Sequence, residues 1–206
     1  MSNETYHMVK EFHETFGQKT ADKPTAMDPE TALKRAVWTG EELIEFLYAS
    51  VDGDRQDFIN IVNSFGEQLG KVYRKHLDEK PAIDDILTAQ ADALTDIEYF
   101  NQGTFTLLGV EPFNLFKIVQ EANMGKLWDD GKPRFRESDG KILKPPHWEE
   151  KYAPEPRLKQ EIQRQIDAKK AVTVKKVKKD QATVIEWNGE TYRLQHDTEI
   201  KRRLRK

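Results

Sequence analysis

Asp28-Pro29-Glu30-Thr31-Ala32-Leu33-Lys34-Arg35-Ala36-Val37-Trp38-Thr39-Gly40-Glu41-Glu42-Leu43-Ile44-Glu45-Phe46-Leu47-Tyr48-Ala49-Ser50 is the stretch that decides the fold. An acid that can cap a helix is followed by proline at the first helical position, and no further proline interrupts the run. At 100° per residue Leu33, Val37, Gly40, Ile44, Leu47 and Val51 form one stripe at spacings of three and four, as on a packed bundle helix. The opposite side is different: Glu42 and Glu45 share a face with Trp38 and Ala49, and Glu41 lies within the same turn.

The pattern repeats outward. After Asp52-Gly53-Asp54, Arg55 to His76 carries Phe58, Ile61, Val62, Phe65, Leu69 and Val72 at helical spacing. A third helix is predicted from about Ala82 to Leu108, with Ile83, Leu87, Leu94, Ile97 and Leu108 as its core stripe. A fourth runs from Phe113 to Asn123, and Tyr6 to Phe16 adds a short one upstream. Four helices on short connections predict an all-α, four-helix-bundle architecture. Beyond Gly125, Asp130-Gly131 and Asp139-Gly140 predict a basic loop or small hairpin around Arg134-Phe135-Arg136 and Ile142-Leu143. Leu158 to Lys170 reads as a polar helix. Val172 to Val177, Thr183 to Trp187 and Thr191 to Gln195 read as strands, the last two joined across Asn188-Gly189.

Composition narrows the chemistry. The 206 residues are 37% hydrophobic and 33% charged, above the usual charged share of about 25%, which favours helices with solvated faces. There is no cysteine, which excludes disulfides, thiolate zinc sites and cysteine nucleophiles. MSNETYHMVK has no apolar signal core, and no apolar run reaches the ~20 residues of a membrane span, so a cytoplasmic protein is expected. The net charge of -3 conceals a split. Arg157 to Lys206 holds 15 basic and 7 acidic residues, about +8; the preceding residues hold 18 and 29, about -11. That shift predicts a helical domain over 1–156 and a basic appendage over 157–206, a small β unit that could bind nucleic acid or another polyanion weakly.

Nucleotide motifs of the glycine-rich kind are absent. Gly66-Glu67-Gln68-Leu69-Gly70-Lys71 is one residue short of a P-loop and lies within a helical pattern. His196-Asp197 follows a strand-like run, while His7, His13, His76 and His147 are scattered. The informative residues are acidic. Asp92 and Asp96 stand i,i+4 on the third predicted helix, continued by Tyr99 and Gly103, and repeat the second face of the first one. Like charges at that spacing oppose helix formation by a few tenths of a kcal/mol per pair, and a cation relieves them. If the two faces meet, four or five carboxylates converge, an all-oxygen donor set that suits Mg²⁺ or Mn²⁺.

Glu42-x-x-Glu45 with a later acid cluster ending at Asp96 resembles the split signature of the all-α NTP pyrophosphohydrolases, and most closely the MazG-like, phosphoribosyl-ATP pyrophosphohydrolase-like branch related to the dimeric dUTPases. The similar stretches are colinear from about Tyr6 to Trp148. They are Glu11–Gly17, Glu41–Glu45, Asp92–Asp96 with Gly103-Thr104, Asn123–Leu127 and Asp139–Lys144. The second motif departs from the family pattern: Ala93 occupies the position of its glutamate, so Asp92 stands in from one residue earlier. Arg55 to Lys80 also lengthens the gap between motifs.

The resemblance implies Mg²⁺-dependent hydrolysis of a nucleoside triphosphate to the monophosphate and pyrophosphate by a metal-activated water. Glu42, Glu45, Asp92 and Asp96 would hold the metal, and Glu41 or Glu45 would act as general base. Asn123, Lys126, Lys141 and Lys144 would meet the phosphates, and Trp38 and Tyr99 could stack on the base. It further implies a homo-oligomer, a dimer or dimer of dimers. Two alternatives stay open: phosphoribosyl-ATP as the substrate, or an acidic helical scaffold whose basic C-terminal part binds a polyanion.

Overall fold

The structure, a computed structural model, describes residues 3–79, 82–170, 174–176, 183–187 and 190–194. Its helices are α1 (Glu4–Thr15), α2 (Pro29–Ser50), α3 (Arg55–Glu79), α4 (Ile86–Leu108), α5 (Pro112–Met124), α6 (Trp148–Tyr152) and α7 (Pro154–Lys170). Strands β1 (Val174–Lys176), β2 (Thr183–Trp187) and β3 (Glu190–Leu194) follow in an antiparallel sheet of order β1-β2-β3. The Asn188-Gly189 turn, His196-Asp197 and the Lys201 to Lys206 tail lie outside the described residues. Among the described residues no helix is long and apolar enough to cross a membrane. The chain divides into two compact units, Ala21–Phe100 and the remainder.

In the unit Ala21–Phe100, capping sets the helix starts. Asp28 accepts from the backbone N–H of Thr31 at 2.9 Å and from its hydroxyl at 2.7 Å. The same contacts hold the Asp28 carboxyl below its ordinary range. The chain turns at Asp52 and Gly53, both at positive φ, and Asp54 then caps α3 by accepting from Asp57 N–H at 2.9 Å. Tyr48 meets Phe58 edge-to-face at 5.1 Å, so α2 and α3 pack as a helical hairpin. The third long helix starts at Ile86, four residues later than the periodicity predicts, because Asp85 captures the N–H groups of Leu87 and Thr88 and the Thr88 hydroxyl. Ile83, expected in its core stripe, therefore precedes the helix and is exposed.

The predicted core stripes also need correction. No residue of α2, α3 or α4 is buried, and Leu33, Val37, Leu94, Ile97 and Leu108 are all more than half exposed. The period correctly gives helices with one apolar face, and among the described residues these faces are largely exposed.

The other unit has the buried core: Phe16, Leu115, Ala122 and Trp148, with Gln165 as its buried polar member. Phe12 stacks on Phe16 at 4.4 Å, and Gln120 donates to the Met8 carbonyl at 2.8 Å, joining α1 to α5. On its other side α5 packs against α7. There Arg157 ion-pairs with Glu121, and Asn114 donates to Glu161 at 3.1 Å. The charge boundary at 156/157 thus falls inside α7, whose later turns are part of this core.

Candidate functional site

The acidic residues lie in the unit Ala21–Phe100. Glu41, Glu42 and Glu45 are on α2, Asp92 and Asp96 on α4, and all five are exposed. Among the described residues no hydrogen bond or ion pair engages any of these carboxylates. Helix geometry brings Glu42 and Glu45 together on one face, and Asp92 and Asp96 on another. The expected convergence of the two faces is not realised within one chain. Among the described residues no three His, Asp or Glu side chains form a group able to hold a metal.

The two aromatic candidates are solvent-facing. Trp38 carries the ammonium of Lys34 and the guanidinium of Arg35 over its ring at 5.1 and 5.2 Å, so that surface is already shared with cations of its own helix. Tyr99 is 74% exposed and meets Phe100 edge-on at 6.4 Å.

The cationic residues lie in the other unit, around the C-terminal end of α5. Asn123 is half-buried, and its Oδ1 accepts from Lys126 Nζ at 2.7 Å. Burial is the chief cause that pushes the Lys126 ammonium below its ordinary pKa; repulsion from Lys144 and then Lys141 adds to it. These three lysines therefore share one electrostatic neighbourhood. Lys144 lies 3.7 Å from the centre of the Trp148 ring and ion-pairs with Glu149 at 2.7 Å.

The loop that presents Lys141 and Lys144 is a short hairpin. Phe135 bridges Ile142, and Arg136 donates twice to Asp139, at 2.8 and 2.5 Å. That fork is the main cause that draws the Asp139 carboxyl down to about 2. Arg136 is thereby committed to the hairpin. Arg134 stacks over Trp128 at 4.0 Å, and the buried Trp128 indole N–H has no partner among the described residues.

Three contributors escaped the sequence reading: Trp148, Glu149 and Tyr152. The available signal was tryptophan interleaved with lysine and arginine between Lys126 and Trp148, a composition that favours cation–π pairing.

A family model and a solved structure both point to one class, the nucleotide pyrophosphohydrolases, and the chain is an enzyme of that class. The family model for phosphoribosyl-ATP pyrophosphohydrolase matches residues 9–123, more than half of the chain, and this protein belongs to that family. The chain is also similar to the crystal structure of a proposed NTP pyrophosphohydrolase from Exiguobacterium sp. 255-15. The two are 42% identical with a TM-score of 0.75, over 82% of this chain and 99% of the other. No curated protein matches the chain.

Proposed function

We propose that this enzyme hydrolyses a nucleoside triphosphate, or phosphoribosyl-ATP, to the monophosphate and pyrophosphate in the cytoplasm, with Mg²⁺ or Mn²⁺ as its cofactor. Water adds at phosphorus, the bridging P–O bond between the α and β phosphates breaks, and pyrophosphate departs. The observation that carries this reading is the set of five exposed carboxylates on α2 and α4, unpaired among the described residues, in a chain that matches the family model across both helices. Glu42, Glu45, Asp92 and Asp96 would hold the cation, which when bound supplies charge neutralisation and a more acidic water. Glu41, or Glu45 where it is not engaged as a ligand, accepts the proton of the attacking water.

Asn123, Lys126, Lys141 and Lys144 bind phosphate oxygens. A lysine ammonium suits them as a point charge, and the Asn123 amide orients Lys126. Trp38 and Tyr99 offer surfaces for the base. The uncovered apolar faces of α2, α3 and α4 support a homo-oligomer, a dimer or dimer of dimers, in which a second copy covers them.

The test is a panel of dNTPs, NTPs and phosphoribosyl-ATP with Mg²⁺ or Mn²⁺, scored by pyrophosphate release in wild type, Glu45→Gln and Asp96→Asn. Each substitution should cost on the order of 10²-fold or more in kcat. Unchanged turnover in both would remove the carboxylates from the mechanism.

A further inference from the structure

The family match stops at Asn123, whereas three of the four residues assigned above to phosphate lie beyond it, at Lys126, Lys141 and Lys144. We propose that Trp148 is a positioning residue for polyphosphate binding, fixing Lys144 against the end of α5 so that Lys144 and Lys126 act on the ligand as one cationic unit. The proposal rests on reading those lysines as phosphate ligands.

Trp148 is tied down on its indole edge. It is 6% exposed, and its Nε1 donates to the Ala122 carbonyl at 2.9 Å, one residue before Asn123 and four before Lys126. The face of the same ring carries the Lys144 ammonium at 3.7 Å. One rigid side chain thus links the helix end that bears Asn123 and Lys126 to the loop segment that bears Lys144. Two residues beside it close the arrangement. Glu149 pairs with Lys144 at 2.7 Å, and the Tyr152 ring lies so close to Gly125 that a Cβ there would approach it to 2.5 Å.

The electrostatics say what this framework is for. Like charges gathered around a half-buried lysine cost free energy, and a fold that gathers them gains by offering them to a dense anion. A di- or triphosphate is such an anion. The Glu149 carboxylate is 73% exposed, so its pair with Lys144 is weak and yields to phosphate, while the tryptophan face still supports the ammonium from the other side.

The experiment titrates inorganic tripolyphosphate into the full chain by calorimetry and measures KM and kcat for the best nucleotide of the panel. The variants are Lys144→Ala, Trp148→Leu, Trp148→Phe and the double variant Trp148→Leu/Lys144→Ala, each checked by circular dichroism and thermal melting. Trp148→Leu should raise the tripolyphosphate Kd and the KM about tenfold with a much smaller change in kcat. Trp148→Phe, which keeps a ring but loses the N–H, should fall between it and wild type. The double variant should be no weaker than Lys144→Ala alone.

Wild-type affinity in both Trp148 variants, or losses that simply add in the double variant, would overturn the positioning role while leaving Lys144 as a ligand. Wild-type affinity in Lys144→Ala would overturn the phosphate-site reading itself, and the proposal with it. If Trp148→Leu fails to fold, Trp148→Phe with its own Lys144→Ala double variant decides the matter by the same additivity criterion.

Discussion

Gln165 clasps both backbone groups of Glu111: its Oε1 accepts the Glu111 N–H at 2.8 Å and its Nε2 donates to the Glu111 carbonyl at 3.0 Å. Glu111 is the N-cap of α5 and makes no side-chain cap bond of its own, so α7 supplies the polar partner that α5 lacks. Gln165→Ala removes the partner of both groups in a partly buried setting and should cost about 1 kcal/mol, read as a lower denaturant midpoint. By the same contact, a chain ending at Lys170 should keep the stability and pyrophosphate release of the full chain. One ending at Pro156 should lose both, since it uncovers α5. Full activity in the chain ending at Pro156 would show that α7 is dispensable.

Glu161 gives a pH signature. Its hydrogen bonds to Arg164, Gln165 and Asn114 hold its carboxyl down at about 2, against 4.5 ordinarily. A depressed carboxyl stabilises the fold above the unfolded pKa, and that contribution is lost as pH falls. Wild-type melting temperature should therefore decline between about pH 4.5 and 2 through this group, and Glu161→Gln should flatten that part of the curve. An identical acid profile in the variant would contradict the assignment.

Lys126 sets stability against binding. Its lowered pKa means that the folded chain resists its charge, so stability rises with pH from the lowered value up to the ordinary 10.5. Lys126→Met should raise the melting temperature near neutral pH and raise KM at least tenfold, because phosphate loses a charged partner. In wild type, KM should climb with pH below the range of an ordinary lysine. A variant that gains KM without any gain in stability would separate the two effects and refute their common origin.

Association through the uncovered helix faces is testable with Val37→Glu, which places a charge beside exposed Leu33. The wild type should sediment as a dimer or larger species and the variant as a smaller one at micromolar concentration. Monomeric wild type would remove the homo-oligomer reading.

Much of this architecture was legible from residue spacing. Asp28-Pro29 marks the start of α2, and Asp52-Gly53-Asp54 marks the turn before α3. These signals are local, so no tertiary information is needed to read them. The start of α4 was missed because Asp85 competes for the first N–H groups more strongly than the apolar period extends the helix. Burial was less legible. Leu33 and Phe16 are equally apolar residues, yet one is 66% and the other 2% exposed, because periodicity names a face without naming its partner.

The candidate site divides in the same manner. Helix spacing paired Glu42 with Glu45 and Asp92 with Asp96, but could not relate one helix to the other. Lys126 and Lys144 were legible by charge; the bond from Trp148, whose ring meets Lys144, to the Ala122 carbonyl is a tertiary contact that spacing does not announce.

Gly125 is helical, at φ -62, so nothing in its backbone demands glycine. The demand comes from the Tyr152 ring. The two positions are therefore bound into a single heritable unit. In descendants of this sequence an alanine can enter at 125 only where the aromatic at 152 has shrunk or gone, and a glycine retained there marks chains that still carry that ring. Paired change at positions 125 and 152 is the trace this packing would leave in an alignment.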